Sequence, residues 1–199
     1  MLPGLGNNSG DYDALGAKLR ASGLHVSVAG VSRVDWARNA AGLRDPAYWA
    51  GTLKPRPTVD WYLDAVRRAV DEAQASTSNA PITLLAHSAG GWLGRLFLLE
   101  FGTAGVDRFV SLGSPHLPPP AGVIDQTRGI LTFIDGACPG CHHAELQYVT
   151  VAGKFIEGAP LAGPGTWKQR FVGAAYKQVR ALQGQGCAVP QQAEAGAVA

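Results

Sequence analysis

Residues 81–101 read PITLLAHSAGGWLGRLFLLEF, and this stretch restricts the fold more than any other. A short apolar run, ITLLA at 82–86, ends in the pentapeptide AHSAG at 86–90, and an apolar helical pattern follows at once. A strand that turns straight into a helix belongs to a parallel sheet covered by helices. The pentapeptide has the form G-x-S-x-G with Ala for the first Gly, a pattern in which the serine sits on a sharp, strained turn. Its neighbours two positions away, Ala86 and Gly90, must be small for that turn to close. The turn lifts Ser88 Oγ clear of the sheet, and the helix N-terminus behind it favours developing negative charge. The N–H of Ala89 then points to where an oxyanion would form. A plainer use of the same residue stays open: an ordinary strand-to-helix turn in which Ser88 is only an N-cap.

The composition excludes several alternatives. The chain has 199 residues, of which 46% are apolar and 16% charged, enough for one domain with a real core and unlike a disordered segment. A net charge of +2 without a basic cluster leaves no electrostatic footprint for nucleic acid or an anionic membrane surface. No stretch approaches the roughly 20 apolar residues of a transmembrane segment. No charged n-region followed by an apolar h-region marks a secretory signal. Three cysteines, Cys138, Cys141 and Cys187, do not make a disulfide framework.

Strands and helices alternate along the chain. Tyr12, Leu15 and Leu19 lie at helical spacing within 11–20, with Ser9 as a cap and Gly23 as a stop. HVSVAGV at 25–31 alternates and is rich in Val, which predicts a strand. Residues 32–57 have no sustained period, carry Trp36, Tyr48, Trp49 and three prolines, and read as a functional loop or lid. Val59, Tyr62, Leu63, Val66 and Val70 form one helical face, plainly a core face. Residues 89–101 carry only Arg95 and Glu100 as charges, which predicts a buried helix ended by Gly102. Residues 108–112 and 147–152 predict strands and 167–182 a helix. The expectation is one α/β domain over 1–182, a mostly parallel sheet with helices on both faces, followed by a disordered tail over 183–199.

The segments LPGLGNNSGDY (2–12), VDWARNAAGLRDPAYWAGTLKPRPTVDWYLDAV (34–66), LLAHSAGGWLGR (84–95), SLGSPHLPPP (111–120) and VTVAGKFIEGAPL (149–161) resemble the α/β-hydrolase superfamily. The resemblance is narrowest to the lipase-like proteins of plants, algae and cyanobacteria grouped with the GPI inositol-deacylases, and the long 34–66 block carries most of that assignment. It implies a serine esterase or lipase-like acyl hydrolase, acting on an ester or lipid-like small molecule with no cofactor. It implies further that LPGLGNN supplies a second oxyanion donor, the backbone N–H of Leu5, opposite that of Ala89. Two preorganised donors are what a tetrahedral intermediate needs, and losing one typically costs about 10²–10³ in rate. The plainer reading of LPGLGNN is a glycine turn feeding a helix. The resemblance also calls for a central strand before LPGLG, between 25–31 and 82–86, of which only Met1 and Leu2 are present. An α/β-hydrolase fold that is incomplete at both ends is therefore expected.

In this fold the triad runs Ser, then Asp or Glu, then His. Beyond residue 152 the chain has no Asp and no His, and its carboxylates there are Glu157 and Glu194. Impaired turnover is expected, with a non-catalytic hydrolase-like chain as the alternative. His116, just past a strand end on the catalytic side, and Asp125, in the excursion that follows, are the remaining pocket candidates. His87 is expected to pack under the turn. His142 and His143 precede a strand and fall away from the strand C-termini if the segment before them is helical. Cys138-Pro139-Gly140-Cys141 has the spacing of a dithiol pair or half a zinc site, and ILTFID before it passes as a strand. A thiol redox or metal-binding role for Cys138 and Cys141 is thus a second alternative, beside two plain loop cysteines. No metal site is assigned.

Overall fold

The computed structural model describes residues 1–78, 80–103, 105–119, 125–152 and 164–167. The tail from 183 and all but the first residue of the helix expected over 167–182 lie outside the described residues. Three parallel strands form the sheet, in the order β1 (Ile82–His87), β2 (Val106–Leu112), β3 (Gln147–Val151). The α-helices are α1 (Asp13–Ala21), α2 (Pro46–Ala50), α3 (Asp60–Ser76), α4 (Ala89–Phe101) and α5 (Ile130–Ala137). Strand and helix alternate from β1 to β3, as parallel pairing requires, and the chain is of the α/β class.

Register decides which residues meet α4. Leu84 lies opposite Phe109, Ala86 opposite Ser111, and Phe109 opposite Tyr148, so these side chains share one face. A Cβ at Gly94 would come within 2.7 Å of the Phe109 ring, and one at Gly91 would run into Ser114. Glycine is a poor helix former. Here Gly90, Gly91 and Gly94 let α4 approach the sheet closely, and packing holds the helix. Leu93, Leu96 and Leu98 are fully buried, as are Tyr62, Leu63 and Val66 of α3, which realises the core face read from their spacing. Gly102 ends α4 at φ 76°. The opposite face of β1 presents His87, and Tyr12, just before α1, packs edge-on against its ring.

Four local expectations are corrected. Residues 25–31 form no strand. Ala29 and Val31 are buried as their alternation demands, but among the described residues the backbone bonded to this segment is that of Met1, through Ala29 N–H to Met1 O (2.9 Å) and the terminal amine to Ser27 O (2.5 Å), and of Ser9, whose N–H donates to Val31 O (2.9 Å). Two single residues, far apart in sequence, do not make a ladder. The cap over residues 9–12 is Asn8 rather than Ser9: Asn8 and Asp11 make a reciprocal capping box, while Ser9 Oγ donates to Val31 O. The 32–57 segment holds a ten-residue 3-10 helix, Asp35–Arg44, and α2. A cap rather than periodicity builds α2, where Asp45 accepts from Ala47 N–H ahead of Pro46. ILTFID is not a strand but most of α5, whose apolar residues Ile130, Leu131 and Ile134 turn inward at helical spacing.

Under α4 lies a buried polar network. Arg95 is 4% exposed. It donates to His116 O (2.6 Å) and Cys138 O (2.5 Å) and lies 3.7 Å from Asp135, tying the loop after β2 to the end of α5. His116 is 2% exposed, and its Nε2 lies 2.8 Å from Ser111 Oγ. Ser111 Oγ also lies 3.2 Å from Thr150 Oγ1, and a Ser111 hydroxyl that donates there accepts the Nε2 proton of a neutral imidazole. Burial, and next the Arg95 charge, push the His116 pKa down from 6.5 to about 3. A histidine kept neutral in the fold stabilises it fully above pH 6.5. Between pH 6.5 and about 3 only the unfolded chain takes up the proton, so that stability is lost as pH falls. At about 1.4 kcal/mol per pH unit, the loss by pH 4.5 is roughly 2–3 kcal/mol. Denaturant unfolding from pH 7 to 4.5 should therefore show a steeper decline in the native protein than in His116→Gln. Parallel curves would contradict the burial of a neutral imidazole.

Candidate active site

Ser88 joins β1 to α4 with φ 51° and ψ −122°. A non-glycine residue at positive φ is strained and persists only where its surroundings enforce it. Here Ser88 N–H donates to Leu112 O (2.9 Å) and Gly91 N–H to Ser88 O (3.0 Å), anchoring the turn to β2 and to the first turn of α4. The small neighbours have a steric cause. Ala86 has no exposed surface, and a Cβ at Gly90 would run into the Leu2 carbonyl oxygen. Ser88 stands at the N-cap position, yet its side chain makes no capping bond. Among the described residues nothing hydrogen-bonds its Oγ, so the plain N-cap reading does not describe this side chain.

Residues 2–8 cross this turn. Leu2 pairs in parallel with β1 at Ala86, through Leu2 N–H to Leu85 O (2.8 Å) and His87 N–H to Leu2 O (3.1 Å). The next residues pass so close that a Cβ on Gly4 would lie 2.9 Å from Ser88 Cβ. Three aromatic side chains hold the loop in place. Tyr62 Oη donates to Pro3 O (2.7 Å), Gly4 N–H donates to Tyr12 Oη (2.8 Å), and Trp36 Nε1 donates to Asn7 O (2.8 Å). Asn7 N–H closes the turn onto Gly4 O (3.1 Å). Because a trans peptide sets C=O and N–H in opposite directions, that last bond also turns the Leu5 N–H away from Asn7. Among the described residues neither the Leu5 nor the Ala89 amide has an acceptor. Two backbone amides without acceptors among the described residues thus adjoin the contact between this loop and the serine turn: Leu5 follows Gly4, and Ala89 follows Ser88 at the start of a buried helix.

The other candidates are engaged elsewhere. His87 Nδ1 lies 2.8 Å from Tyr12 Oη, and burial pushes its pKa below the ordinary value. His116 follows β2 but turns its ring onto Ser111. Asp125 accepts from Thr127 N–H, Thr127 Oγ1 and Gly129 N–H at 2.7–2.8 Å, which shapes the approach to α5. His142 and His143 sit between α5 and the start of β3, with their rings edge to face. Cys138 is a free, buried thiol that donates to Ile134 O (3.2 Å), and burial raises its pKa. It is therefore not bonded to Cys141. Among the described residues no group of three or more His, Cys, Asp or Glu could hold a metal ion, and no helix is long and apolar enough to cross a membrane.

Sequence reasoning missed the three aromatic anchors of the loop. Tyr12 and Tyr62 were visible only as members of apolar stripes, and Trp36 only as one aromatic of an unpatterned segment. The available signal was chemical: a tyrosine on a core face brings a hydroxyl that must find a partner when buried.

These features can be set beside known proteins. No curated protein and no solved structure matches the chain. A family model described as alpha/beta hydrolase fold matches residues 1–136, a span that contains the loop, the serine turn, β1, β2 and most of α5. The chain belongs to the alpha/beta hydrolase fold family.

Proposed function

We propose that this chain is a serine-nucleophile ester hydrolase of the lipase and esterase kind, related to the GPI inositol-deacylase-like group. In this reading Ser88 Oγ attacks an ester carbonyl, and the Leu5 and Ala89 amides hold the oxyanion. The substrate is an ester or lipid-like small molecule. The 32–57 segment, joined to the loop through Trp36 and Asn7, borders its acyl part. The observation that carries the proposal is the strained Ser88 with an unengaged hydroxyl beneath a loop pinned on three sides. A fluorophosphonate probe should label the protein, and Ser88→Ala should abolish labelling while leaving a cooperative thermal melt. Equal labelling of the variant would remove Ser88 from the mechanism.

A second observation favours impaired turnover. All five histidines lie among the described residues, and none is bonded to Ser88. In a triad enzyme, loss of the base costs on the order of 10⁶ in kcat and leaves about 10³–10⁴ over water. Hydrolysis of short-chain nitrophenyl esters should accordingly be slow. Fast, Ser88-dependent turnover would show that a base reaches the serine after all. The opposing reading is a hydrolase-fold chain with no turnover, and it predicts neither labelling nor hydrolysis.

The loop carries its own test. Gly6 has φ 75° with open space around its would-be Cβ. A side chain there acts through backbone strain rather than collision, most severely when β-branched. Gly6→Val should shift the Leu5 amide and lower kcat about tenfold or more while KM changes little, because the donors act on the transition state. An effect confined to KM would make the loop a substrate-facing turn only.

A further inference from the structure

Two tyrosine hydroxyls grip opposite ends of one peptide group. The Pro3 carbonyl accepts from Tyr62 Oη at 2.7 Å, and the Gly4 N–H of the same peptide plane donates to Tyr12 Oη at 2.8 Å. The second grip continues, since Tyr12 Oη lies 2.8 Å from His87 Nδ1. Proton accounting orders the chain. A backbone N–H can only donate, so the Tyr12 oxygen accepts from Gly4. The single Tyr12 proton is then free to go to His87 Nδ1, and the imidazole carries its own proton on Nε2. The same His87 ring nitrogen and the His87 carbonyl oxygen each lie 3.1 Å from where a Gly4 Cβ would be, and Ser88 Cβ lies 2.9 Å from it. The residue beside the nucleophile therefore reaches back to the loop that crosses it.

We propose that Tyr12 and His87 are positioning residues of this site: the relay Gly4 N–H to Tyr12 O–H to His87 Nδ1 locks the Pro3–Gly4 peptide plane over Ser88 and thereby sets the direction of the Leu5 amide. The proposal rests on the reading of Leu5 and Ala89 as oxyanion donors. Tyr62 is the counter-anchor on the carbonyl end, and the bond from Asn7 N–H to Gly4 O (3.1 Å) sets the next plane. With both planes fixed, the donor is in place before substrate arrives, which is the condition under which an oxyanion donor is most effective. Protonation of Nδ1 would turn an acceptor into a donor and break the relay. Burial holds the imidazole pKa below its ordinary value and keeps the relay intact at neutral pH.

The test measures the rate of Ser88 modification by a fluorophosphonate, split into kinact and KI, on the full 199-residue chain. Tyr12→Phe and His87→Ala each remove one link and should lower kinact on the order of 10–100-fold with KI little changed. His87→Asn should restore kinact to within about threefold of native, because the Asn Oδ1 can accept the Tyr12 proton in place of Nδ1. A merely structural role for the ring would not be rescued by this smaller polar side chain. Native kinact in Tyr12→Phe or His87→Ala overturns the proposal, as does His87→Asn as slow as His87→Ala. Hydrogen exchange at the Gly4 amide is the second readout and needs no reactive serine. Protection should be present in the native chain, lost in Tyr12→Phe and His87→Ala, and kept in His87→Asn; equal protection in all four overturns the relay. An unlabelled native chain with this exchange pattern would count against the nucleophile assignment alone and leave the relay standing.

Discussion

The backbone of Leu2 lies between β1 and the glycine face of α4, and much of the molecule closes on it. Its N–H and C=O bond to Leu85 and His87. Its carbonyl oxygen fills the space a Gly90 side chain would need, and its Cδ1 lies 2.9 Å from the would-be Cβ of Gly94. At this one place strand pairing, helix packing and the start of the serine-crossing loop share the same few atoms. Close-packed interiors transmit small changes in volume. A methyl group added at Gly90 or Gly94 would press on the loop as well as on the sheet, so the strained Ser88 geometry and the loop above it stand or fall together.

A polar network supports the same helix from beneath. Arg95 joins two carbonyls that belong to the end of the β2 loop and the end of α5, while Arg95 Nε and His116 Nδ1 stay buried without partners. Unsatisfied groups of this kind cost stability. Here they accompany bonds that couple three elements across the back of α4. That arrangement also explains why His116, which follows the end of β2, does not bond Ser88 through Nε2: that nitrogen is committed to Ser111.

The site is consequently asymmetric. The Ser88 turn and the 2–8 loop that crosses it are braced, whereas among the described residues no side chain hydrogen-bonds Ser88 Oγ. In triad chemistry the oxyanion hole and the base are separable contributions. Under the function proposed above, a braced turn and loop without a bonded base are compatible with a serine that reacts with strongly activated electrophiles and turns over ordinary esters slowly.

Local chemistry made the centre legible from sequence. The apolar run, the small residues flanking Ser88 and the glycines of α4 are neighbours along the chain, so strand, turn and buried helix follow from spacing alone, as does the core face of α3. Pairings between distant residues were not legible in that way. Residues 25–31 have a strand's alternation but meet only isolated backbone partners among the described residues, Met1 and Ser9, and a strand exists only where another backbone completes its ladder. The short helix α2 within 32–57 arises from the Asp45 cap, which a search for periodicity passes over. Tyr12 meets His87 across 75 positions, and Tyr62 meets Pro3 across 59. By itself the sequence determined which residue is the strained serine and which faces are apolar. Only the tertiary structure decided which hydroxyls hold the loop, because a hydrogen bond depends on an approach within about 3 Å, and spacing along the chain carries no record of such an approach.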